Sequence, residues 1–151
     1  MPGRGLQDHR RVEQMDLYYK STRNSNLKVT ASEAILKGLA PDGGLFVPEK
    51  LPVLGKSMEE LKDLNYQDTA YEVMKCFLTD FTEEELRNCI EKAYDSKFDD
   101  EAIAPLVKVE DTYYLELFHG ATIAVKDMGL SFGAPLMTTS GKYSPVLGED
   151  G

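Results

Sequence analysis

Two stretches of the chain carry the same hydrophobic spacing. Ala70, Val73, Met74, Phe77 and Leu78, and then Leu86, Cys89, Ile90, Ala93 and Tyr94, fall at i, i+3, i+4, i+7 and i+8. That spacing draws one apolar stripe down an α-helix. Between the stripes, Thr82-Glu83-Glu84-Glu85 has the capping-box pattern, in which the first hydroxyl accepts from the amide three residues on and the glutamate reaches back. The pattern predicts two amphipathic helices that pack antiparallel, with Phe77 in the shared core and Cys76 and Cys89 as packing thiols. Two more capping boxes, Thr30-Ala31-Ser32-Glu33 and Ser57-Met58-Glu59-Glu60, predict helices ending at Gly38 and near Leu64. The helical part, about Thr30 to Tyr94, is expected to fold on its own.

Other segments follow a strand pattern. Leu17-Tyr18-Tyr19 with Ser21-Thr22 reads as a short strand, and Leu106-Val107-Lys108-Val109 and Tyr113-Tyr114-Leu115-Glu116-Leu117 flank Glu110-Asp111-Thr112 as a β-hairpin. Pro41-Asp42-Gly43-Gly44 predicts a turn between two apolar segments. After Lys126 the pattern conflicts with itself. Leu130, Phe132, Leu136 and Met137 are apolar, yet inside a helix Gly129 and Gly133 would each cost about 1 kcal/mol and Pro135 about 3 kcal/mol. The segment from Gly129 is therefore expected to be the most labile, and residues 138–151 to be irregular. The fold class is α+β: a helical domain over residues 15–105 with short strands, then the start of a second domain over 106–137.

Composition narrows the partners. The 151 residues suffice for one domain, or one small domain and the opening of another. Seventeen Lys plus Arg against 26 Asp plus Glu give a net charge of −9, which repels phosphate backbones and anionic lipid and excludes nucleic acid and membrane surfaces as partners. No apolar run is long enough to span a bilayer or to form a secretory signal. Cys76 and Cys89 are too few for a disulfide framework, so free thiols and a cytoplasmic location are expected. Residues 1–14 place Arg4, Arg10 and Arg11 among Asp8 and Glu13 and read as a disordered leader, upstream or vector-derived or else an organellar targeting segment, with Met15 as the natural start. Asp99-Asp100-Glu101 reads as a solvated loop with no metal-ligand spacing.

Chemistry concentrates in one place, Glu116-Leu117-Phe118-His119-Gly120-Ala121-Thr122-Ile123-Ala124-Val125-Lys126-Asp127-Met128. A strand ends in a glycine-containing loop, and a lysine follows three apolar residues. Apolar surroundings disfavour an ammonium and leave a neutral amine that can attack an aldehyde, although most such lysines extend their heads to water. His119 reads as a hydrogen-bonded loop histidine, with an acid or base role as the alternative. Thr138-Thr139-Ser140-Gly141-Lys142 lacks the first glycine of a nucleotide-binding loop, whose place Leu136 takes.

Three motifs in order resemble the N-terminal part of threonine synthase: Tyr18-Tyr19-Lys20-Ser21-Thr22-Arg23, Gly38-Leu39-Ala40-Pro41-Asp42-Gly43-Gly44-Leu45-Phe46-Val47-Pro48, and Phe118 to Met128. The resemblance covers about Met15 to Met137. It implies a pyridoxal-phosphate-dependent lyase of fold type II, the fold shared with tryptophan synthase β, acting on O-phosphohomoserine and water to give threonine and phosphate. It places the Schiff base, and with it the catalytic and cofactor-binding role, on Lys126, whose freed amine would move protons while the cofactor ring takes up electrons. The family usually has proline at Ala121, an aromatic at Val125 and a helix former at Gly129, and these departures loosen the approach to Lys126. The family's phosphate-binding glycine loops lie well beyond the lysine, so this chain alone is expected to be inactive. The alternatives are a non-catalytic interaction or assembly module, or a related lyase for another phosphorylated amino acid.

Overall fold

The structure, a computed structural model, describes residues 16–143. The proposed leader and the end of the tail, residues 144–151, lie outside the described residues. The first strand, β1 (Tyr19–Ser21), is the centre of a small antiparallel sheet between β2 (Lys28–Val29) and β3 (Phe46–Pro48), with Tyr19 opposite both Val29 and Pro48. Helix α1 (Ala31–Lys37) separates β2 from β3. The helices α2 (Met58–Leu61), α3 (Tyr66–Phe77) and α4 (Glu83–Ala93) follow, then a hairpin of β4 (Leu106–Val109) and β5 (Thr112–Leu115), and finally α5 (Asp127–Ser140). Among the described residues no helix is long and apolar enough to cross a membrane. Mixed helices and small antiparallel sheets agree with the expected class.

The capping chemistry is where the pattern puts it. Thr30, Ser57 and Thr82 each accept from the amide three residues on, and Glu33, Glu60 and Glu85 each return a carboxylate to the cap amide. Helix α2 is shorter than expected and stops at Leu61, with no buried residue to hold further turns. The predicted turn is also present. Asp42 accepts from the Ser21 hydroxyl at 2.8 Å and the Gly44 amide at 2.9 Å, while Gly43 takes a φ of 76°. A Cβ on Gly44 would lie 2.2 Å from Ser21 Oγ, so the first two resemblance motifs fold directly onto each other.

The core is built on α4. Leu86, Cys89, Ile90, Ala93 and Tyr94 are all buried and join Leu78, Phe81, Phe98, Ile103, Phe132 and Leu136 in one cluster. Helix α3 lies at the edge of this cluster, and none of its residues is fully buried. Phe77 is therefore only partly buried, a correction to its expected core position. Cys89 is fully enclosed, and Cys76 is half-buried.

The larger correction concerns α5. It is a continuous helix through Gly129, Gly133 and Pro135 to Ser140, so residues 138–140, expected to be irregular, are helical. Burial explains the difference. Phe132 and Leu136 enter the core, the Phe132 ring stacks on Tyr94 at 6.3 Å with the planes 6° apart, and the Tyr94 hydroxyl donates to the Met128 carbonyl at 2.8 Å. Burying two such side chains contributes about 3 to 6 kcal/mol, enough to offset the roughly 5 kcal/mol that two glycines and a proline cost. Thr139 meets Cys89 Sγ at 3.3 Å, Tyr143 stacks edge-on against Phe81, and the Tyr143 hydroxyl donates to Glu85 at the start of α4.

Leu86→Ala is expected to lower the unfolding free energy by about 2 to 5 kcal/mol, and Phe77→Ala by clearly less. Urea titrations followed by circular dichroism check the order, and a larger loss at Phe77 would place the core on the wrong face of α3. Pro135→Ala is expected to raise stability, by up to about 3 kcal/mol, because it restores a helix donor without touching the buried stripe.

Candidate active site

The hairpin delivers the chain to the site. After β5, Glu116, His119 and Gly120 lead into the loop Ala121–Val125, and Lys126 caps α5 with φ −63° and ψ −23°. Lys126 and Val125 are exposed, as are Gly129 and Leu130 one turn on, and these four line an open face. The site lysine thus projects at the start of a helix whose opposite side is locked into the core.

Asp127 organises the loop from within. It is buried, its carboxylate accepts the Thr122 amide at 2.8 Å and the Thr122 hydroxyl at 2.6 Å, and these bonds, the hydroxyl's first, hold it below the ordinary carboxylate range. At the N-terminus of a helix a carboxylate also meets the favourable end of the macrodipole. Gly120 fits this arrangement by necessity, since a Cβ there would lie 2.5 Å from Asp127 Cβ. Ile123 is bent into the left-handed region at φ 61°, with its amide bonded to the Gly120 carbonyl at 3.0 Å. For a β-branched residue this is a strained conformation.

His119 occupies the other side of the loop. Its Nδ1 lies 2.6 Å from Asp99 and its Nε2 2.8 Å from Glu116, and the bond to Glu116, then that to Asp99, raises its pKa above the ordinary histidine value. The Asp99 amide also donates to the His119 carbonyl at 3.0 Å. The acidic run is therefore partly spoken for: Asp99 bonds to His119, and Asp100 accepts the Ala102 amide. Among the described residues no cluster of His, Cys, Asp and Glu could hold a metal ion.

Lys126 and His119 were legible as candidates. The Asp127 clamp was not, because an acid beside a lysine gives no sign of which neighbour it will turn towards. Thr122 four residues after Phe118 and Gly120 between them are the nearest signals, and they acquire meaning only with the loop's path.

Comparison with known proteins identifies the family. Residues 18–94 match the family model described as "Threonine synthase N terminus". The chain belongs to the threonine synthase family. Threonine synthase from Eremothecium gossypii is 41% identical over 128 residues, covering 78% of this chain and 25% of that protein, and that from Saccharomyces cerevisiae is 36% identical over 124 residues, covering 76% and 24%. The chain thus spans about a quarter of the length of these relatives. Among solved structures, yeast threonine synthase superposes with a TM-score of 0.76 at 32% identity over 87% of this chain and 28% of that one. The pyridoxal-phosphate-bound threonine synthase from Brucella melitensis gives 0.75 at 30% identity over 84% and 28%.

Relief of the bent loop is measurable. Ile123→Gly is expected to stabilise the chain by about 1 kcal/mol, since glycine takes a positive φ without the side-chain penalty. Gly120→Ala is expected to destabilise it by forcing Asp127 aside. Chemical denaturation of both variants checks the pair, and a stabilised Gly120→Ala would mean that Asp127 does not press on this backbone.

Proposed function

We propose that Lys126 is the residue through which the complete protein holds pyridoxal phosphate, and that the complete protein converts O-phosphohomoserine and water to threonine and phosphate. The observation that carries this reading is the placement of one amine, exposed on an apolar face, at the end of a loop held by a buried carboxylate. The donor set fits the group: a primary amine for the aldehyde, with Val125 and Leu130 offering apolar surface beside it and Gly129 leaving room. A Cβ on Gly129 meets nothing within 4 Å. The departures from the family pattern at Ala121, Val125 and Gly129 all fall on exposed positions, the last two on this face.

Pyridoxal phosphate, when bound, supplies an electron sink for the carbanions of elimination and hydration. The chain's own residues do the remaining local work. Lys126 Nζ would hold the group, and its amine would take and return protons. Asp127, held by Thr122, fixes the backbone from which the lysine extends, and Val125 and Leu130 exclude water from one side. The segment on its own leaves this face open, and we infer that the 151-residue chain binds the cofactor weakly and does not release phosphate from O-phosphohomoserine. The free thiols Cys76 and Cys89 suit a reducing compartment, and we assign the protein to the cytoplasm.

A chimera tests the assignment. With this chain replacing the corresponding N-terminal quarter of yeast threonine synthase, growth of a threonine auxotroph is expected to be restored, and Lys126→Ala to abolish it without loss of soluble protein. Retained growth in the Lys126→Ala chimera would overturn the role of the lysine. For the chain alone, borohydride reduction with pyridoxal phosphate and peptide mapping should give scattered lysine labelling. Labelling confined to Lys126, with phosphate release, would overturn the inertness of the segment.

A further inference from the structure

The ring of His119 is bracketed. An ionised carboxylate only accepts, and the two ring nitrogens face two carboxylates, Asp99 at 2.6 Å and Glu116 at 2.8 Å. Both bonds can form together only if both nitrogens carry hydrogen, which is the imidazolium. A neutral ring has one N–H and must give up one of the two. The bracket spans separate parts of the chain: Asp99 lies in the loop that follows α4, Glu116 just after β5, and the histidine immediately precedes Gly120. Gly120 in turn lies against Asp127, with no room for a Cβ between them.

We propose that His119 is a positioning residue for Lys126: in its charged form it closes a clamp between Asp99 and Glu116 that seats Gly120 against Asp127 and so fixes the first turn of α5. The proposal extends the reading of Lys126 as the cofactor anchor, but the clamp itself is a property of this chain without cofactor. The charged groups acting on the ring are Glu116, Asp99 and Asp100, all acidic, and they favour its protonated form. The two partners are unequal. The Asp99 side chain is 80% exposed and the Glu116 side chain 27%, so water screens the first pair more than the second. The sign follows from the raised folded value: the clamp is fully present below the ordinary histidine pKa of about 6.5 and is lost as pH rises through the folded pKa.

The sequence contains two histidines, His9 and His119, so His9→Gln leaves one imidazole to follow in the 151-residue chain by nuclear magnetic resonance. The ring is expected to titrate above about 6.5, with both nitrogens protonated on the acid side. The amide resonances of Gly120, Thr122 and Lys126 are expected to move with the same midpoint. Glu116→Gln, which keeps the acceptor but removes its charge, should pull the midpoint down further than Asp99→Asn does. A ring that titrates at or below about 6.5, or loop amides indifferent to it, overturns the clamp. No cofactor enters this measurement, so a working chimera with an uncoupled ring would refute the clamp alone, and a coupled ring with growth retained in the Lys126→Ala chimera would refute the anchor alone.

Discussion

The contact between α5 and α4 decides most of the rest. Helix α5 contains two glycines and a proline and has too few favourable residues to hold itself together, so its helical state is borrowed from the surface it lies on. The stack of Phe132 on Tyr94, the bond from Tyr94 to the Met128 carbonyl and the enclosure of Thr139 beside Cys89 all act along one side. That one-sided grip fixes the helix axis, and the helix axis fixes where Lys126 emerges. A weaker α4 would therefore be felt at a residue it does not touch.

Two acidic side chains repeat one device at opposite ends of the chain. Asp42 draws in Ser21 and the Gly44 amide, and Asp127 draws in Thr122, each beside a glycine with no space for a side chain. In both places a carboxylate takes up backbone or hydroxyl hydrogens that a tight loop would otherwise leave unpaired, which is why the loops can be short and bent. Both devices fall inside the motifs that carry the resemblance to threonine synthase. The motifs thus read first as folding instructions, and the chemistry we propose for Lys126 is built on one of them.

The exposed surface completes the picture. All residues of the β4–β5 hairpin are exposed, among them Leu106, Val109, Tyr113, Tyr114 and Leu115, and α5 shows Leu130 and Met137 on the side away from the core. A helix that is apolar on both sides belongs inside a larger structure. These faces lie in the part of the chain that carries Lys126, and the relatives that match the chain are about three times as long. The stripe of α4, by contrast, is already covered.

Local signals were sufficient wherever the physics is local. Capping boxes are satisfied within four residues, a Pro-Asp-Gly-Gly turn closes on itself, and the α4 stripe needs only one apolar partner surface, so the three caps, the turn, the hairpin and the core helix could all be read from the order of residues. The same order misjudged the cases in which a distant partner decides. Phe77 belongs to a stripe as regular as that of α4, but only one side of α3 is covered, and spacing cannot say which of two stripes becomes the centre. Gly129, Gly133 and Pro135 argued against a helix, and only burial of Phe132 and Leu136 in the core beside Tyr94, brought together by the fold, outweighed them. Lys126 was recognisable from its motif, whereas the setting that gives it a direction was not. The turn of Asp127 towards Thr122 and the bracket of His119 between Asp99 and Glu116 depend on which backbone segments meet, and propensity and period carry no information about that.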